Sequence, residues 1–279
     1  MQPTPLASPT PDVPGFQFTK ENLPRLDGST ANIPLGQAVV AALLGISYDE
    51  AESYINFNGT TAAYQKLVAG DCDLLLVYEA PPELKTELDG LEIVPIGRDA
   101  LVFLTNIRNP VVNLSVSQIQ DIYSGSITNW KDVGGENVTI KAYQRNATAG
   151  SQTMMRKLVM GDIPLADPEP ALVAGGMGDL VEAVASYSNY NSAIGYNVYY
   201  YVTEMKNDPN INILSVDGIA PSNHSIQAGD YPFVNDFFVA IRKDEPEDSP
   251  PRILFDWIQS AQGQDLLEAA GYARNAKPQ

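Results

Sequence analysis

The chain has 279 residues, 44% of them hydrophobic and 18% charged, enough for one large domain or two ordinary ones and unlike a disordered chain. Its 34 acidic residues against 17 basic ones give a net charge of −17, which argues against nucleic acid and anionic membrane surfaces as partners. One cysteine and one histidine exclude an internal disulfide framework and leave little for a transition-metal site.

The first fourteen residues, "MQPTPLASPTPDVP", are rich in Pro, Ser and Thr and lack an apolar core. They suit the tether of an exported protein or a plain disordered N-terminus. Beyond them, "STANIPLGQAVVAALLG" predicts a helix with hydroxyl caps that stops at Gly45. Its apolar core, "QAVVAALLGI", is far short of the roughly 20 residues that span a bilayer. "TTAAYQKLVAG" predicts a second helix starting at Thr60 or Thr61, and "CDLLLVYE" a buried strand over Leu74 to Tyr78. "LEIVPIG" and "DALVFLTN" suggest two further strands, "SVSQIQDIYSG" a helix ending at Gly125, and Gly134-Gly135 a polar turn after "ITNW".

"TIKAYQR" then predicts a strand, "SQTMMRKLVMG" and "DLVEAVASY" helices, and "AIGYNVYYYV" a strand. His224 falls in "APSNHSIQAG", a polar loop by composition, and is expected at the surface. "FVNDFFVAIRK" is an apolar strand, and "SPPRILFDWIQS" and "GQDLLEAAG" close the chain as helices, with Pro251 near the start of the first. Alternating strands and helices favour an α/β fold. No internal repeat is visible.

Three helix starts lie in hydroxyl- or glycine-containing turns: Ser29-Thr30, Asn58-Gly59-Thr60-Thr61 and Ala149-Gly150-Ser151. Unpaired N–H groups at the positive end of a helix dipole hold anions, although each turn alone is also an ordinary cap. The third is distinguished by Arg145 at the end of the preceding strand, where a guanidinium grips two oxygens of a tetrahedral anion. The competing reading is an arginine paired with a surface carboxylate. Cys72, between Asp71 and Asp73, is expected to be a buried, inert thiol. The Asn-x-Ser/Thr triplets at Asn58, Asn113, Asn137, Asn146 and Asn223 are expected to be coincidental.

From Asp27 to Asn275 the chain resembles the PstS-type phosphate-binding proteins, in particular their Gram-positive lipoprotein branch. The likeness is carried by "DGSTANIPL", "AYQKLVAGDCDLLLVYEAP", "IYSGSITNWKDVGG", "YQRNATAGSQTMM", "AIGYNVYYY", "GIAPSNHSIQAGDYPF" and "VAIRKDEPEDSPPRILFDWIQSAQGQDLLEAAGY". The resemblance implies a type II periplasmic-binding-protein fold: two α/β lobes joined by two crossover strands, near Leu101–Thr105 and Phe233–Ala240, with ligand held between them. Residues 1–15 would be the tether, 16–102 plus 234–279 lobe one, and 103–233 lobe two.

The resemblance also implies the ligands of inorganic phosphate. Ser29 and Thr30 match the hydroxyl pair after the first strand, and Thr60 or Thr61 the hydroxyl at the next helix start. Arg145, Gly150 and Ser151 match the second lobe's arginine and small-residue turn, with Ala149 standing where near relatives have serine. Ala147 likewise replaces an acidic residue of some relatives, and backbone N–H groups at 149–151 survive both changes. Glu79 in "YEAP" matches the family's carboxylate, which favours phosphate over sulfate because phosphate brings a proton to share.

Further implications are a monomer outside the cytoplasm, anchored by lipid upstream, that uses no cofactor, performs no catalysis and delivers phosphate to an ABC permease. The alternative keeps the fold but makes the protein a surface sensor or adhesion module binding another anion or none. An enzyme such as a phosphatase needs a metal cluster or an activated nucleophile, and no such His/Asp grouping is present.

Overall fold

The computed structural model describes residues 15–84 and 86–275. The tether expected over residues 1–15 therefore lies, apart from Gly15, outside the described residues. The chain divides into two compact units, Met1–Arg98 with Asp236–Gln279, and Asp99–Asn235. The divisions fall within two long strands, Leu91–Asn106 and Val234–Arg242. They lie four residues before the expected boundary at 102/103 and two after the one at 233/234.

In the first unit the all-apolar run Leu74–Tyr78 is a fully buried strand, parallel to Leu26–Gly28 on one side and antiparallel to Val234–Arg242 on the other. Helix Thr60–Ala69 covers this sheet, packing Ala63, Tyr64 and Leu67 against Leu75, Val77 and Ala240. Cys72 belongs to the same core, and burial, the largest influence, pushes its thiol up to about 12, so it stays protonated and unreactive at neutral pH. Helices Ile33–Leu44 and Ala261–Ala269 pack together elsewhere in the unit. Helix Pro250–Gln259 starts with the Ser249 hydroxyl accepting from the Arg252 N–H and with Pro250 and Pro251 in its first turn.

One expectation here needs correction. "LEIVPIG" and "DALVFLTN" form one strand of 16 residues rather than two. Within this strand a Cβ at Gly97 would meet the Phe237 ring at 2.4 Å, so the glycine admits an aromatic against the backbone. Among the described residues no single helix is long and apolar enough to cross a membrane.

The second unit is built on the far half of Leu91–Asn106, antiparallel to Ala193–Val198 and Ile211–Ile213, with Lys141–Ala142 parallel to Ala193–Val198. Its centre is aromatic, with Phe103, Tyr123, Tyr196 and Phe233 in tilted or edge contacts at 5.5–6.3 Å. Trp130 is fully buried and donates to the Ser192 carbonyl at 2.9 Å.

Three local expectations differ here as well. "TIKAYQR" is split into Lys141–Ala142 and Gln144–Arg145, the latter pairing with Val173–Ala174. The strand in "AIGYNVYYYV" ends at Val198, because buried Asp99 accepts the Tyr200 N–H at 3.2 Å and caps the helical turns that follow. His224 is exposed as expected, but on a short helix, Asn223–Ala228, whose first turn is capped by Ser222.

Candidate functional site

In the first unit, three chain segments distant in sequence meet at Ser29. Its hydroxyl accepts the Tyr78 N–H at 3.0 Å and lies 2.8 Å from the Thr60 hydroxyl. Both side chains are nearly closed to solvent, Ser29 at 4% exposure and Thr60 at 5%. Thr30 opens a 3₁₀ turn, Thr30–Asn32, that runs into the helix Ile33–Leu44. Thr60 and Thr61 are the first residues of their helix, where N–H groups have no intrahelical acceptor. The residue before them, Gly59, provides no side-chain cap. Glu79, half-buried, directly follows the strand that ends at Tyr78. Its charge, after burial, raises the pKa of the Tyr64 hydroxyl, which donates to the Tyr78 carbonyl at 3.2 Å.

Two residues without an expected role hold this arrangement. Buried Asp27 accepts from the Gly28 and Asn58 N–H groups and from the Asn58 side chain, each at 2.7 Å, with Lys66 at 3.7 Å. It thereby ties the strand before Ser29 to the turn before Thr60. Gly28 sits so close to the next strand that a Cβ would fall 2.0 Å from the Leu76 carbonyl oxygen. Asp27→Ala leaves three donors unpaired, and a loss of about 2–4 kcal/mol is expected in urea denaturation. A midpoint equal to that of the wild type would contradict this role.

In the second unit, Arg145 ends a two-residue strand with its guanidinium turned to backbone carbonyls: Nε donates to Ala174 at 3.2 Å and an Nη to Gly175 at 3.1 Å. Among the described residues it forms no ion pair, which removes the surface-carboxylate reading. Burial is the largest influence on the group and lowers its pKa, while Tyr196, Asp179 and Tyr201 act in the opposite sense. The result is a half-buried cation whose direct hydrogen-bond partners are two backbone carbonyls, with Asp179 acting on it only at longer range.

Ala149 occupies the cap position of the helix beginning at Gly150, with no side-chain cap, and its carbonyl accepts from Gln152 and Thr153. Gly150 and Ser151 lie in the open first turn, and Ser151 is buried. Beyond Met154 this helix continues in wide π-type turns to Met160. Ala147 is exposed.

Arg145 is positioned by residues that sequence reasoning passed over. Its N–H donates to the Tyr196 hydroxyl at 3.0 Å and to Gln152 Oε1 at 3.2 Å, and Tyr196 itself donates to Gln152. Gln152 lies one residue past the turn, within reach of local inspection. Tyr196 is 51 residues beyond Arg145, and only its inward place on an apolar strand hinted at it. Among the described residues no group of three His, Cys, Asp or Glu side chains is arranged as metal ligands.

The first unit thus carries hydroxyls at helix starts and the second a half-buried arginine held by carbonyls, each on an α/β framework. The model of the PBP superfamily domain matches residues 22–262, and the chain belongs to this superfamily of periplasmic-binding-protein folds. It is similar to the phosphate-binding protein PstS of Borreliella burgdorferi, 25% identical over 233 residues, spanning 81% of this chain and 78% of that one. It is also 26% identical over 231 residues to PstS of Staphylococcus epidermidis, spanning 78% of this chain and 69% of the relative.

The fold matches the phosphate-bound structure of a candidate phosphate ABC transporter substrate-binding protein from Clostridium perfringens. That match has a TM-score of 0.72 and 24% identity and covers 90% of this chain and 98% of the other. An ABC-type phosphate transport receptor from Vibrio cholerae matches at TM-score 0.66 and 24% identity, covering 88% and 98%. These relatives are solute-binding proteins rather than enzymes.

Proposed function

We propose that the protein binds inorganic phosphate reversibly outside the cytoplasmic membrane and hands it to the membrane subunits of an ABC importer. The observation that carries this reading is Arg145, a half-buried guanidinium held by two carbonyls and paired with no carboxylate among the described residues. Such a charge is stabilised by an anion that accepts its remaining donors. The names of the PstS relatives support phosphate as that anion.

In this reading Ser29, Thr30, Thr60 and Thr61 are the ligands of the first unit, with Glu79 accepting the proton of the bound phosphate. Arg145 and the backbone N–H groups at Gly150 and Ser151 are the ligands of the second, the Ala149 N–H being donated to the Asn146 carbonyl at 3.2 Å. Net acidity does not oppose this, because exposed charges are screened beyond about 8 Å while oriented local donors are not. The Pro- and Thr-rich residues 1–15 then serve as the tether of a membrane-anchored, monomeric receptor.

Thermal unfolding tests the reading. Phosphate at about 100 times its Kd adds about 2.7 kcal/mol to stability and is expected to raise Tm by roughly 5 °C. An unmoved Tm at millimolar phosphate would contradict it.

A further inference from the structure

The second unit contains a pocket of about 580 Å³ beside Arg145 that a bare tetrahedral ion does not need. Its volume lies within the range of sites for small organic ligands. One wall is the helix face bearing Gln152, Arg156 and Met160, spaced four residues apart. The lining also includes Ile163 and Val173, large apolar side chains left 39% and 38% exposed. Arg156 is exposed, and its guanidinium forms no hydrogen bond or ion pair among the described residues, although Asp162 and Asp167 line the same pocket. Arg145 and Arg156 both act electrostatically on the Tyr196 hydroxyl, so the two cations share one neighbourhood.

Two guanidinium groups and an apolar wall suit a molecule with two anionic ends and a short carbon chain. We propose that this pocket extends the site to organic phosphoryl compounds, namely phosphonates or phosphate monoesters whose short substituent ends in a carboxylate. The phosphoryl group sits on Arg145, the carboxylate on Arg156, and the chain against Ile163 and Val173. Asp162 and Asp167 limit the negative charge tolerated, which favours such compounds over polyphosphate chains. The inference rests on the phosphate reading of Arg145.

Isothermal titration with inorganic phosphate, methylphosphonate and phosphonoacetate, on the wild type and on Arg156→Ala, tests it. The wild type is expected to bind all three. Arg156→Ala is expected to weaken phosphonoacetate about tenfold while changing the other two less than about twofold, as for loss of one charge-assisted contact. Phosphate binding without phosphonoacetate binding, or equal weakening of all three ligands, overturns the pocket and leaves the phosphate reading intact. Phosphonoacetate binding that depends on Arg156, with no phosphate binding, overturns the phosphate reading and keeps the pocket. Arg156 is exposed and unpaired, so the variant retains the packing of the wild type.

Discussion

Arg145→Ala is expected to weaken phosphate binding by about 2–4 kcal/mol, roughly thirtyfold or more. The guanidinium is the one full positive charge assigned to the phosphate itself, and its donors are shared only with the Ala174 and Gly175 carbonyls. Removing it leaves a desolvated anion with neutral dipoles alone. Arg145→Lys separates charge from geometry. It keeps the charge but not the planar fork, so it is expected to recover part of the affinity. The readout is titration calorimetry, with circular dichroism confirming the fold. Unchanged affinity in a folded Arg145→Ala protein would remove Arg145 from the site.

Glu79→Gln is expected to invert part of the ligand preference. A carboxylate facing the ion accepts the proton that phosphate carries at neutral pH, and it repels sulfate, which carries none. An amide offers an N–H in its place. Phosphate affinity is then expected to fall by about 1–2 kcal/mol, and sulfate, silent with the wild type, to bind measurably. Glu79 is half-buried at the end of the strand Leu74–Tyr78, so the substitution changes charge without opening the core. If selectivity stays as in the wild type, Glu79 does not face the ligand.

Both substitutions fall on residues that stand out in the sequence, but for different reasons. Glu79 and Arg145 are visible because each ends an apolar or β-type run. The regular elements are visible for equally local reasons: Thr60–Ala69 starts and stops at Gly59 and Gly70, and Leu74–Tyr78 is apolar at every position. The single strand Leu91–Asn106, expected as two, shows the converse. Within it Gly97 admits Phe237, a residue 140 positions away that no local pattern reveals.

The candidate site shows the same division. Hydroxyls at helix starts are legible one by one, whereas the 2.8 Å contact of Ser29 with Thr60 depends on strands brought together by the sheet. Asp27 looks like an ordinary strand-end acid until its three accepted hydrogen bonds are counted against Gly28 and Asn58. Gln152 and Tyr196 support Arg145 through its backbone rather than through its charge, so charge-based reasoning passes over them. Ala149 costs a hydroxyl but leaves the helix start at Gly150 open, which is why its loss does not remove the N–H donors from the second unit.

Titration calorimetry of the purified wild-type protein with phosphate, and separately with sulfate, tests the central claim most directly. One saturable site for phosphate and no heat from sulfate at the same concentrations are expected. A folded protein that gives no heat with phosphate, or that binds sulfate equally well, would contradict it.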